Sequence, residues 1–335
     1  MSKAKNQKMK MLRLARFFHE FTGESRSFTR KEIVTIMDKY YDVRVTDEGL
    51  KNDIDELVTE GFVIEITHDT GKDNLYYMKE HPITVAEGKY LIDILQASSF
   101  LPEEETRAMI RKIKRLVGAV YWNELKRCEF IMGRPKTTNH DIFVVLDSIN
   151  DAINANRCIV FKYYRWNEKK CLVERHPGKI YQISPLGLVW MGERYYLIGY
   201  DFEEEKIKHF RIDKMNYTAV DSTRRREHTE LIAEGKLPDY AKMNFGMCAA
   251  DEKPVAVTLS SDKEHVGLLI DQFGQDISII NDTNNTNRVT TRVKVFAGST
   301  FFGWLVSQNN LVRLEGPSYI VDKFKSELSI LLNSY

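Results

Sequence analysis

The apolar period of this chain changes at Cys158, and that change limits what it can fold into. Up to residue 156, one short hairpin aside, apolar residues recur at helical spacing, whereas from Cys158 to Ile212 they alternate with polar ones. Blocks of helix followed by blocks of strand point to an α+β chain of several units rather than one alternating sheet. The length agrees, because 335 residues are too many for one ordinary core and suit two or three domains of about 100–150 residues each.

Over residues 8–20, Met11, Leu12, Leu14, Ala15 and Phe18, followed by Phe21, mark a helix with one buried stripe. Its other face is basic: Lys3, Lys5, Lys8, Lys10, Arg13 and Arg16 follow one another with no acidic residue between them. Thr29-Arg30-Lys31-Glu32 is a capping box that opens a second helix through Ile33, Ile36 and Met37. Thr46 caps a third helix with Leu50, Ile54, Leu57 and Val58, which Gly61 ends. FVIEIT and LYYM then alternate around the turn DTGKDN. Three short helices and a hairpin within about 75 residues predict a winged helix-turn-helix over residues 1–80, its third helix in the recognition position.

Residues 81–156 read as a helical connector for packing and dimerisation. It opens on the capping box Thr84-Val85-Ala86-Glu87, continues after Pro102 with Glu103, Glu104 and Glu105 in a first turn, and closes with Ile142, Val145, Leu146, Ile149 and Ile153. The strands CIVFKYY, KCLVERH, KIYQISPLGLVWM, RYYLIGYD and KIKHFRI predict a small SH3-like antiparallel β-barrel over 157–223. A linker over 224–250 begins with Arg224, Arg225 and Arg226, which read as a solvated face. The order βαββαβα over 251–335 suggests a ferredoxin-like α/β sandwich.

A net charge of +1 gives no overall polyanion-binding signature, so any basic surface has to be local. Cys128, Cys158, Cys171 and Cys248 have neither metal-site spacing nor disulfide density, and read as reduced thiols. Without a run of about 18 apolar residues or a signal-peptide h-region, the expectation is a cytoplasmic protein with no membrane partner. HExxH, GxSxG, a Walker loop and GxGxxG are all missing, and Cys171 and His176 lack an orienting third group. The expectation is therefore a protein that is not an enzyme, needs no cofactor and holds no metal with its eight histidines.

With a winged helix-turn-helix ahead of a small barrel, GERYYLIGYD followed by KHFRIDKM resembles the WYL-domain transcriptional regulators of bacteria. Their naming tripeptide corresponds to Tyr195-Tyr196-Leu197, and their Phe-Arg-Leu-Asp-Arg signature to Phe210-Arg211-Ile212-Asp213-Lys214. Pro185 and the GWLV at 303–306 fit the family's strand proline and tryptophan-bearing C-terminal helix, so the resemblance covers nearly the whole chain. It implies a one-component regulator that binds duplex operator DNA as a homodimer and senses a nucleotide or single-stranded nucleic acid in the barrel.

Tyr163, Tyr196, His209, Arg211 and Lys214 supply the stacking surfaces and cations such an effector requires. Strand parity places Tyr195 and Leu197 on one face and Tyr196 on the other, with His209, Arg211 and Asp213 opposite Phe210 and Ile212. Arg211 either grips a phosphate or pins the barrel through an ion pair with Asp213. On the DNA side the candidates are Thr29, Arg30, Lys31, Arg44, Lys51, Asn52 and, on the wing, Lys72, with Asn52 suited to an adenine edge. The third helix departs from the family in carrying Asp47, Glu48 and Asp55, which must turn away from phosphates or read cytosine amino groups. The alternative function is a non-transcriptional accessory protein that binds nucleic acid or a nuclease or defence complex.

Overall fold

The computed structural model describes residues 8–68, 73–126, 135–232, 236–247, 253–282 and 287–335. Among these residues, eleven α-helices and several antiparallel sheets divide between two compact units, Met1–Thr138 and Asn139–Tyr335.

The first unit opens with α1 (Lys10–Phe21), β1 (Phe28–Thr29), α2 (Arg30–Tyr41), α3 (Asp47–Thr59), β2 (Ile64–His68) and β3 (Asn74–Met78). The three strands form an antiparallel sheet in the order β1-β3-β2. Local chemistry starts α2: the Glu32 N–H donates to the Thr29 hydroxyl at 3.3 Å, and the Glu32 carboxylate accepts the Thr29 N–H at 2.8 Å. At α3 the Gly49 N–H donates to Thr46 Oγ1 at 3.1 Å. Leu14, Phe17, Phe18, Ile33, Met37, Leu50 and Ile54 close one core between the three helices. Thr22 joins helix to sheet, since its buried hydroxyl donates to the Phe18 carbonyl and accepts the Met78 N–H.

The segment expected as a separate connector is divided between the units. Its α4 (Val85–Ala97), α5 (Glu103–Val117) and α6 (Trp122–Lys126) lie in the first unit around Ile92, Ile113, Val117 and Leu125. Lys136 Nζ donates to the Leu95, Gln96 and Ser98 carbonyls at 2.8, 3.0 and 2.6 Å, placing a cation at the negative end of α4. The His81 ring sits 5.4 Å from both His19 of α1 and Tyr121, so this region packs on α1. The last connector helix, α7 (Ile142–Asn154), is in the second unit. It buries Ile142, Val145, Ile149 and Ala152 and packs against the strands Arg157–Trp166 and Met215–Arg225.

The second unit contains a six-stranded curled half-barrel: β4 (Arg157–Trp166), β5 (Leu172–Glu174), β6 (Tyr181–Met191), β7 (Arg194–Asp201), β8 (Lys206–Arg211) and β9 (Met215–Arg225). The order is β5-β4-β6-β7-β8, and β9 returns to pair with β4. Register shifts between Pro185 and Gly187 where proline interrupts the ladder. After α8 (Leu237–Met243) a second sheet has the order β11-β12-β10-β13, built from β10 (Val255–Asp262), β11 (Ile279–Asn281), β12 (Arg288–Val295) and β13 (Val312–Gly316). Helices α9 (Val266–Phe273), α10 (Ser299–Ser307) and α11 (Ser318–Leu332) bury Leu269, Phe301, Phe302, Leu305 and Ile320 with Val257, Leu259, Val293 and Val295 of that sheet.

Gly199, inside β7, is needed for its small size: a Cβ there would lie 2.3 Å from Ile183 Cγ2 and 3.1 Å from the Ser184 carbonyl oxygen. Gly199→Ala is expected to cost about 1–3 kcal/mol by overpacking. Gly303→Ala, in an exposed turn of α10 where a Cβ meets nothing within 4 Å, is expected to gain roughly 0.5–1 kcal/mol of helix propensity. Urea denaturation midpoints of the two variants should move in opposite directions.

Candidate functional site

The β6–β7 hairpin closes over Gly192 and Glu193, both left-handed at φ 56° and 65°, which matches the right-handed twist of the strands it joins. β7 then pairs with β8, Tyr196 facing Arg211, Leu197 facing Phe210 and Ile198 facing His209. Alternation gives this ladder two faces. On one, Leu197 and Phe210 are buried, and Phe210 lies edge-on to Phe161, Tyr163 and Tyr181 at 5.1, 5.4 and 5.6 Å. The other carries Ile198 with His209, Tyr196 with Arg211 and, on extending the register, Arg194 with Asp213.

The end of that face is a charge cluster around one buried carboxylate. Asp213 accepts Arg211 Nε at 3.0 Å, Arg211 Nη2 at 2.6 Å and Arg194 Nη1 at 3.1 Å. The carbonyl of Asp213 and that of Met215 accept the Asn139 side-chain amide, which fixes the short turn over residues 212–214. Lys214 sits close enough for burial, and then the repulsion of Arg211, to lower its pKa; Asp213 opposes this, and Arg194 and Arg175 add to it. Two guanidiniums thus bind one carboxylate, with Lys214 and then Arg175 close enough for their charges to be felt, an arrangement suited to an anion.

Several expected site residues are placed differently from the sequence reading. Arg211 carries the ion pair with Asp213 that was the other reading of this residue. Tyr163 is a core ring, 8% exposed, whose hydroxyl accepts the Arg211 backbone N–H at 3.1 Å. It therefore positions Arg211 instead of offering a stacking surface. His209 is enclosed: Nδ1 is 3.0 Å from the Met247 carbonyl and Nε2 is 2.8 Å from the Tyr240 hydroxyl. Tyr196 packs against the cluster of Ile198, Ala241 and Met247, so α8 and the chain after it cover this part of the face. The open end retains Arg211 and Lys214, joined by Arg194 and Arg175, which the sequence reading missed. A signal for Arg194 existed, because once Tyr196 faces Arg211 the same register sets Arg194 against Asp213.

The DNA-side candidates all belong to the first unit. Thr29 is engaged in the α2 cap. Arg30 pairs with Asp47 at 3.2 Å, which neutralises one of the carboxylates that counts against phosphate binding. Lys31, Arg44, Lys51 and Asn52 are exposed, and Lys72 lies outside the described residues. Asp53 is buried against Lys10 at 2.6 Å. Glu48 and Asp55 remain exposed on the same helical ridge as Lys51 and Asn52.

A WYL-domain family model matches residues 144–220, which run from α7 into β9 and include the charge cluster. The chain therefore carries a WYL domain there. No curated protein matches it. Among solved structures it is similar to the proteasome accessory factor B/C (PafBC) of Arthrobacter aurescens, with 15% identity and a TM-score of 0.28 over 99% of this chain and 49% of that one. It is also similar to a CRISPR Cas-related protein, with 12% identity and a TM-score of 0.36 over 86% of this chain and 73% of that one. The chain spans about half the length of the PafBC chain. Among the described residues no helix is long and apolar enough to cross a membrane, and no group of three or more His, Cys, Asp or Glu could hold a metal ion.

Burial holds the His209 imidazole below the ordinary value of 6.5, and burial followed by His19 does the same to His81. The unfolded chain takes up these protons first. Stability is therefore complete above about pH 6.5 and falls as the pH drops through that value towards the folded-state pKa. The thermal midpoint is expected to fall between pH 7.5 and 5, and His209→Gln together with His81→Gln should flatten that slope. An unchanged slope in the double variant would assign the acid sensitivity elsewhere.

Proposed function

We propose that this chain is a one-component transcriptional regulator of the WYL type. In this reading residues 1–80 are a winged helix-turn-helix that binds duplex operator DNA, two copies acting on a twofold site. The curled sheet is the SH3-like barrel that senses a nucleotide or single-stranded nucleic acid, and the C-terminal sheet with its helices is a ferredoxin-like sandwich. The observation that carries the reading is the pairing of Arg194 and Arg211 with the buried Asp213 carboxylate, with Lys214 beside it, inside the matched domain. Phosphate oxygens entering this cluster meet guanidinium donors already oriented by Asp213 and by Tyr163. The effector acts on DNA binding only to the extent that it binds one arrangement of the protein better than another.

The exposed α3 ridge favours a second reading. Glu48 and Asp55 beside Lys51 and Asn52 leave the would-be recognition surface with an acidic excess, whereas duplex affinity rests on neutralising phosphates. In that reading the chain is an accessory protein whose first unit binds a protein partner in a nuclease or defence complex.

Fluorescent duplex and single-stranded oligonucleotides titrated at two salt concentrations separate the two readings. A regulator is expected to bind duplex with a log–log salt slope of several charges and to lose affinity at least tenfold when Lys31, Lys51 and Asn52 are replaced by Ala. Lys214→Ala is expected to weaken single-strand binding by a similar factor while leaving duplex binding alone. Single-strand binding with no duplex binding at low salt would replace the first reading with the second.

A further inference from the structure

The first unit contains a cavity that neither reading uses. It has a volume of about 360 Å³ and opens between α1, β1 and α2, within the ordinary size range of ligand pockets, roughly 300–1,000 Å³. Phe17 lies at its base, 1% exposed, with the Phe28 ring 5.3 Å away at 61° and the Phe21 ring 6.4 Å away at 30°. Ile36, Tyr40 and Tyr41, along one face of α2, complete the wall. The only charged residue in the lining is Arg26. The turn in which Gly23 and Arg26 exchange backbone hydrogen bonds of 3.0 and 2.9 Å holds it at the mouth. Its guanidinium lies 5.3 Å from the centre of the Phe28 ring and has no carboxylate partner among the described residues.

We infer that this cavity binds a small apolar anion, an aromatic or short-chain carboxylate, with its hydrophobic body against the phenyl rings and its carboxylate on Arg26. Three observations converge. The walls are aromatic and planar, so they fit an apolar body of matching shape. No acidic residue lines the cavity, and a cation left unpaired over an apolar wall favours an anionic end. A second hollow of about 290 Å³ continues along α2, sharing Phe28 and Ile36 and adding Lys31. Its Glu32 carboxylate is already held by the Thr29 N–H and hydroxyl at 2.8 and 2.9 Å. That hollow thus pairs one cation with one carboxylate, and the uncompensated charge along the groove is that of Arg26. Because Phe28 immediately precedes Thr29, Arg30 and Lys31, a ligand held there touches the entry to α2.

The test uses the full chain with two probes of one shape, 4-phenylbutyrate and 4-phenylbutan-1-ol, followed by ligand-detected NMR and thermal shift. The carboxylate is expected to bind saturably and more tightly than the alcohol. Arg26→Ala should weaken the carboxylate at least fivefold and leave the alcohol unchanged. Tyr40→Ala, at a side chain that is 70% exposed and so dispensable for folding, should weaken both probes. Lys214→Ala, in the other unit, should affect neither. Absence of saturable binding, equal affinity of wild type and Arg26→Ala for the carboxylate, or loss of binding in Lys214→Ala alone would each overturn the inference.

Discussion

The end of the curled sheet that carries the cations depends on one buried carboxylate. Asp213 is 5% exposed, and an uncompensated charge at that depth costs several kcal/mol. It is stable only because Arg211 grips it through two nitrogens and Arg194 reaches it from the neighbouring strand. The same contacts fix the end of β8, the short turn after it and the side of β7 that carries Tyr196. Both partners that hold Asp213 are guanidiniums, which stay protonated at any physiological pH. The cost is a concentration of cationic side chains at one edge of the sheet.

That edge is narrow because the rest of the face is covered. α8 approaches β6 so closely that a Cβ on Gly187 would lie 2.4 Å from Leu237 Cδ2. Ile198, Tyr196 and Met247 pack in the layer between, and His209 spends both ring nitrogens on this layer. Aromatic and imidazole groups that look available on an isolated strand are thereby turned into packing, leaving the cations at the rim.

The first unit meets its charge problem differently. Its third helix carries acidic residues, but Asp47 and Asp53 are each taken by a cation from another helix, Arg30 and Lys10. The Lys10 pair is the more enclosed, with side-chain exposures of 21% and 10%, so part of the basic face read along α1 is spent inside the unit. What remains on the α3 ridge is a mixture of signs. The aromatic cavity lies on another side of α2 and is lined by different residues.

Local rules were fully legible in the sequence. The Thr29 and Thr84 capping boxes and the Thr46 cap form as their side-chain chemistry dictates, because the partners lie three residues apart. Strand parity likewise settled which of Tyr196 and Leu197 shares a face with Arg211, since alternation is a property of the backbone. The sequence could not reveal which cation would claim which carboxylate, that α7 would leave the connector for the sheet, or that α8 would cover His209 and Tyr196. Those outcomes depend on residues tens of positions apart, Asn139 with Asp213 and Tyr240 with His209 among them. Burial and ion pairing are decided by what the folded chain brings together, and only the tertiary structure holds that information.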